Sequence, residues 1–133
     1  MVTHYTLMFD GGSRGNPGVC GSGFVIYEGG TPRWQGFEKV SEHDTNNYAE
    51  YMGVILGMEF ALQKNIEYLH IKGDSLLVIN QLLGKWKINS ANLKPLYEKA
   101  KELLKQIKMV TLSHVRRDKN QIADKLANRA MDS

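Results

Sequence analysis

The sequence predicts an α/β fold: a mixed five-stranded sheet with helices on both faces. Three observations lead there. Residues 3–9 alternate with period two, and two further apolar runs follow at short spacing, which makes an antiparallel meander of three strands. At Ser41 the pattern changes to helical spacing. From there strands alternate with helices, so the first, fourth and fifth strands should run parallel through right-handed crossovers. The order is strand, strand, strand, helix, strand, helix, helix, strand, helix. No internal repeat, low-complexity segment or linker interrupts it, and 133 residues suffice for one domain, 1–133, with an ordinary core.

The first strand places Thr3, Tyr5, Leu7 and Phe9 on one side and His4, Thr6, Met8 and Asp10 on the other. Asp10 closes it, so a carboxylate stands at a strand end. Gly11-Gly12-Ser13-Arg14-Gly15-Asn16-Pro17-Gly18 then reads as a tight loop, because four glycines and a proline oppose regular structure. A hairpin turn is the plain reading of Asp-Gly. This stretch is too long and too glycine-rich for a two-residue turn, and glycines let a backbone approach a ligand closely. It lacks the lysine and the spacing of a nucleotide phosphate loop. Residues 23–27 and 33–40 supply the second and third strands, with a hairpin at 28–32.

Thr45-Asn46-Asn47 can cap a helix start. Residues 48–62 are apolar on most sides, so that helix is largely buried. Glu50 in its opening turns stands out against this background, although a carboxylate favoured by the helix dipole is the plain alternative. Residues 67–72 form the fourth strand. Gly73-Asp74-Ser75 ends it, which repeats the arrangement at Asp10, and Ser75 can cap a helix over 76–83. Lys85, Trp86 and Lys87 make a basic loop with an aromatic, a core tryptophan being the alternative for Trp86. Residues 92–107 read as a helix with Pro95 in its first turn and Lys94, Lys99, Lys101 and Lys105 on its polar side. Residues 109–115 are the last strand, 116–120 a basic loop and 121–131 the final helix, with Asp124 in its first turns.

Composition narrows the function. Hydrophobic content of 42% and charged content of 23% are those of a globular protein. No apolar run is long enough to span a membrane, and the N-terminus lacks a signal-peptide core. The single cysteine, Cys20, excludes an intrachain disulfide, suits a reducing compartment such as the cytoplasm, and falls where packing is its expected role. Net charge is −4 over residues 1–84 and +7 over residues 85–133, which suggests a cation for one part and a polyanion for the other.

Asp10, Glu50, Asp74 and Asp124 form the constellation. Two sit at strand ends and two in opening turns of helices, and sites in open α/β sheets form at the carboxyl ends of parallel strands. Four carboxylates do not cluster without cations. Oxygen-only ligands favour Mg²⁺ or Mn²⁺ over zinc. Two such ions about 4 Å apart would activate a water and stabilise the leaving oxygen of a phosphodiester.

These residues resemble type 1 ribonuclease H. The resemblance is carried by Asp10 with its glycine loop, Thr45-Asn46-Asn47-x-x-Glu50, Gly73-Asp74-Ser75, and the run from His114 through Arg116-Arg117-Asp118-Lys119-Asn120 to Asp124. It extends over essentially the whole chain. It implies the ribonuclease H-like fold and metal-dependent endonucleolytic cleavage of the RNA strand of RNA/DNA hybrids, leaving a 5′-phosphate and a 3′-hydroxyl. By the same resemblance Asp10 bridges two Mg²⁺ ions, with Mn²⁺ as a substitute. Glu50 and Asp74 hold the ion on the leaving-group side, and Asp124 the one that activates water. His114 takes the family's mobile histidine position and assists product release or proton transfer. The 2′-hydroxyl, which marks RNA as RNA, falls to the backbone of Gly11, Gly12, Ser13 and Arg14 and to Glu50. Asn16 and Thr45 contact the DNA phosphate, Asn47 the nucleic-acid backbone and Asn46 a base edge. Ser75, Lys85, Trp86 and Lys87 complete the nucleic-acid contacts. His4, His43 and His70 match nothing in the family.

Three departures from the family pattern stand out. Only residues 84–91 separate the second and third helices, so the basic protrusion of many bacterial members is missing and the chain is a compact form. Leu76 follows Asp74-Ser75 where many members carry a polar residue. Arg116 and Arg117 replace small residues or proline, and an arginine there can hold the scissile phosphate or the product. A starting Met1 and a complete final helix favour a stand-alone protein over a domain cut from a retroviral-type polymerase, and a monomer is expected. A binding module that kept the fold is the other rival, and four intact acids argue against it. A small phosphatase or sugar-kinase-like half-domain would need a nucleotide phosphate loop.

Overall fold

The computed structural model describes residues 2–133; Met1 lies outside the described residues. β1 (His4–Arg14), β2 (Gly18–Glu28) and β3 (Thr31–Asp44) are antiparallel neighbours, and α1 (Asn46–Gln63) follows. Next come β4 (Tyr68–Gly73), α2 (Leu76–Leu82), α3 (Lys94–Gln106), β5 (Met109–His114), a 3₁₀ turn (Arg117–Lys119) and α4 (Gln121–Met131). The strands lie in the order β3-β2-β1-β4-β5, with β4 parallel to β1 and β5 parallel to β4. This is the mixed five-stranded sheet the alternation implied. No helix among the described residues is long and apolar enough to cross a membrane.

One expectation is corrected. Asp10 does not close β1. The strand continues to Arg14, and β2 starts at Gly18, so Gly11 and Gly12 are strand residues and only residues 15–17 turn. The glycines serve close approach instead. A Cβ on Gly11 would run into the Ala49 backbone of α1, and one on Gly53 would lie 2.7 Å from the Asp10 carbonyl oxygen. On the other face, Cβ atoms on Gly21 and Gly23 would lie 2.5 Å from Ala127 O and 2.6 Å from Leu126 Cβ of α4. The predicted hairpin at 28–32 narrows to Gly29-Gly30, both at positive φ, as a two-residue turn between right-twisted strands requires.

The core lies between the sheet and α1, α2 and α3. Leu7, Phe9, Phe24 and Ile26 of the sheet pack with Tyr51, Val54, Ile55 and Met58 of α1, and each buried side chain of this size contributes about 1.5–3 kcal/mol. Thr45 Oγ1 accepts from Tyr48 N and caps α1, and Ser75 Oγ accepts from Val78 N and caps α2. α4 covers the opposite face with Ala123, Leu126, Ala127 and Ala130. Small side chains there match the glycines below them. Residues 83–93 join α2 to α3 without a further helix, which is the compact form.

Candidate active site

Parallel pairing of β1 with β4 ends at Phe9 opposite Gly73, so Asp10 and Asp74 leave that pair side by side. α1, brought down at Gly11 and Gly53, adds Glu50. Carboxylate oxygens of Asp10, Glu50 and Asp74 all lie within 4.8 Å of one another. Asp124 stands outside that trio, on the first turn of α4. These four acids, Gly11, Gly12, Ser13, Arg14, Asn46 and Arg117 line one cleft of about 420 Å³.

Burial dominates the electrostatics. Asp10 is 5% exposed, and desolvation followed by the charge of Asp74 pushes its carboxyl up to about 7. Gly11 N donates to Asp10 Oδ1 at 2.9 Å and opposes part of that rise. Glu50 rises well above the carboxylate range, first from burial, then from Asp10 and Asp74. Asp74 rises by burial, opposed by a hydrogen bond from Asn120 and by the charges of Arg117 and His114. Glu50 Oε1 is buried with no hydrogen-bond partner. A buried carboxylate oxygen without a donor, beside two more carboxylates, is unfavourable unless a cation supplies the missing partner. The donor set is oxygen only, which suits a hard divalent ion.

The remaining predicted residues divide. Asn46 joins the cleft wall to the turn: its Oδ1 accepts from Ser13 N at 2.6 Å, and its N donates to Asn16 Oδ1 at 2.9 Å. Thr45 lies beside them as the α1 cap. Asn47, Trp86 and Lys87 line a separate groove with Gln81 and Leu93. Trp86 is 47% exposed, which removes it from the core. Ser75 is engaged in capping, and Lys85 follows α2 on the surface. His114 ends β5 with Nε2 3.2 Å from the Asp74 carbonyl oxygen, outside the cleft lining. The two arginines differ. Arg117 faces the cleft, 4.0 Å from Asp124, whereas Arg116 turns to Asp118.

Sequence reasoning missed Asn120 as a separate site element. It is 2% exposed, and its Nδ2 donates to Phe9 O at 2.8 Å, next to Asp10. Its Oδ1 has no partner. One amide thus fastens the start of α4, which carries Asp124, to the strand that carries Asp10. An asparagine at a helix start signals only an N-cap, and Asn120 holds that position without a side-chain capping bond.

Comparison with known proteins gives a consistent answer. Residues 8–130 match the family described as Reverse transcriptase-like. The chain is 38% identical over 126 residues to the bifunctional protein Rv2228c of Mycobacterium tuberculosis, covering 93% of this chain and 34% of that protein. It therefore spans about a third of that relative's length. The crystal structure of RNase H1 from Halobacterium salinarum superposes with a TM-score of 0.93 at 38% identity, covering 97% of this chain and 98% of that one. The structure of LC11-RNase H1 in complex with an RNA/DNA hybrid gives a TM-score of 0.89 at 30% identity, covering 96% of each chain.

Proposed function

The chain belongs to the ribonuclease H family, and from that membership we propose that it hydrolyses the RNA strand of RNA/DNA hybrids, with residues 1–133 acting as one ribonuclease H domain. The observation that carries this reading is the trio of Asp10, Glu50 and Asp74 with the unpartnered Glu50 Oε1 at the base of a polar cleft. Asp10, Glu50 and Asp74, with Asp124 opposite, would hold two divalent ions, Mg²⁺ with Mn²⁺ as a substitute. When bound, such ions activate a water and stabilise the leaving 3′-oxygen, which yields 5′-phosphate and 3′-hydroxyl ends.

The chain's own groups orient the substrate. Extended backbone at Gly11 and Gly12 runs along the cleft wall without side chains to block it, and with Ser13, whose hydroxyl is turned to Asp44 O, it comes within reach of a 2′-hydroxyl on the strand being cut. Asn16 and Thr45 receive the phosphate of the DNA strand, and Asn46, whose N donates to Asn16 Oδ1, meets a base edge. Asn47, Trp86 and Lys87 line the separate groove beside Leu93, where the indole face takes sugar or base and the lysine a phosphate. Arg117 meets the scissile or product phosphate from the α4 side. His114, outside the cleft lining beside the Asp74 carbonyl, moves in to carry a proton or release product.

The test is cleavage of a labelled RNA/DNA hybrid beside duplex RNA and duplex DNA, each with Mg²⁺, Mn²⁺ or EDTA. Cutting confined to the RNA strand of the hybrid and dependent on metal is the expected result. Hybrid binding without cutting under any ion would instead identify a binding module.

A further inference from the structure

Two imidazoles meet on the sheet at the opposite end of the β1–β4 pair. His4 and His70 lie diagonally in the parallel register, in which His4 pairs with Tyr68 and Thr6 with His70. His4 Nδ1 stands 3.0 Å from His70 Nε2, and His70 Nδ1 stands 2.7 Å from Thr111 Oγ1 on β5. The proposed ribonuclease reaction uses none of these groups. Six residues of strand separate His4 from Asp10, a distance of about 20 Å.

We propose that His4 and His70 form a binding site for a divalent transition metal ion that prefers imidazole, Zn²⁺ foremost, and that the ion bridges β1 to β4. Convergence of the two nitrogens is the first support. Zn–N bonds of about 2.0–2.1 Å close on nitrogens 3.0 Å apart at an angle of about 94°, and opening to a tetrahedral angle separates them by only about 0.3 Å more. Thr111 is the second. Metal-bound histidines are generally held by a hydrogen bond from the other ring nitrogen. A Thr111 hydroxyl accepting from His70 Nδ1–H leaves the Nε2 lone pair facing His4. Exposure is the third: His4 and Thr111 lie at the surface, so waters complete the coordination. The acidic cluster offers only oxygen and this pair only nitrogen, so the two sites sort ions by ligand softness.

The consequence is mechanical. β1 and β4 present Asp10 and Asp74, and an ion at their far end staples the two strands together. The test is a Zn²⁺ titration of the full chain in fixed excess Mg²⁺, on wild type, His4→Gln and His70→Gln. It is read by imidazole ¹⁵N chemical shifts and by thermal unfolding. One Zn²⁺ per chain is expected, with shifts at His4 Nδ1 and His70 Nε2. Zn²⁺ should raise the melting temperature of wild type and of neither variant, and affinity should fall at least about 10-fold in each. Hybrid cleavage in Mg²⁺ stays unchanged in both variants, which separates this site from the acidic one. Unaltered affinity in either variant overturns the proposal, as does a shift at His43 or His114 in place of the pair. Loss in His4→Gln alone also overturns it, by placing the ion on His4 without His70.

Discussion

α1 and α4 both settle on the sheet through glycines, yet they deliver their acids to different depths. At the α1 seam, Gly11 and Gly53 let the helix reach β1, and Glu50 arrives partly buried, with its Oε1 fully buried and unpartnered. At the α4 seam, Gly21 and Gly23 let the helix reach β2, and Asp124 arrives half-buried with Arg117 at 4.0 Å. One device thus yields a fixed, desolvated carboxylate on one side and a partly solvated one with a cationic neighbour on the other. Depth, set by where the glycines fall, decides which carboxylate depends on an ion and which has a side chain as partial counterion.

The strongest way to break this comparison is Asp10→Asn, which removes the carboxylate nearest both seams. Cleavage should fall about 10³-fold or more, the scale on which removing one member of a catalytic unit acts, while hybrid binding measured by fluorescence anisotropy stays within about twofold. Activity close to wild type would take Asp10 out of the metal-binding set.

Proton linkage gives the next effect. A carboxyl raised from 3.8 to about 7 by burial costs the fold on the order of 4 kcal/mol when charged above pH 7. That cost is relieved as pH falls through 7, because the folded state then takes up a proton the unfolded chain does not. Metal-free protein should therefore melt at higher temperature at pH 6 than at pH 8. Divalent ions should flatten the dependence, and Asp10→Asn should reduce it. A metal-free melting temperature that rises with pH across this window would contradict the buried-trio account.

The seams themselves can be told apart by adding a methyl group. Gly11→Ala sets a Cβ into the Ala49 backbone and should cost about 3 kcal/mol or more. Gly23→Ala, with Leu126 Cβ at 2.6 Å and Ala127 N at 2.8 Å, should cost a similar amount but displace α4. Calorimetric Mg²⁺ binding should fail first in Gly11→Ala. Gly12→Ala is the control, since its Cβ meets only the flexible Met131 Cε at 2.9 Å, and it should cost under about 1 kcal/mol. Equal losses at Gly11 and Gly12 would end the distinction.

Asn120→Ala should cost about 2 kcal/mol in urea unfolding, from leaving the buried Phe9 carbonyl without its donor. Cleavage should fall further than stability explains, because Asp124 loses its anchor to β1. Activity that simply tracks the folded fraction would reduce Asn120 to packing.

Periodicity and capping residues made α1, α2, β4 and α4 legible: Thr45, Ser75 and the apolar spacing of residues 121–131 each carry a local signal. β1 and β2 were misjudged because glycine looks the same whether it serves a turn or a helix pressing on a strand. Only the tertiary contact of Gly11 with Ala49, or Gly23 with Leu126, separates the two. The acids at 10 and 74 were legible because a carboxylate where parallel strands end has few structural reasons to be there, and Glu50 because it interrupts an otherwise apolar helix. Asn120 was not, since its partner lies 111 residues away and no local pattern records such a bond. Trp86 stood undecided until its exposure was seen, because a loop aromatic reads alike in a core and in a groove.

The bond from Asn120 to the Phe9 carbonyl also bears on biosynthesis. β1 precedes the other elements of this chain but occupies the middle of the sheet, and α4, which brings the fourth acid, follows them all. During translation the emerging chain can pair β1, β2 and β3 and assemble three acids long before the fourth exists. The four acids therefore come together only once α4 has emerged and docked. A ribosome-bound or truncated chain that lacks α4 would hold Asp10, Glu50 and Asp74 together without Asp124.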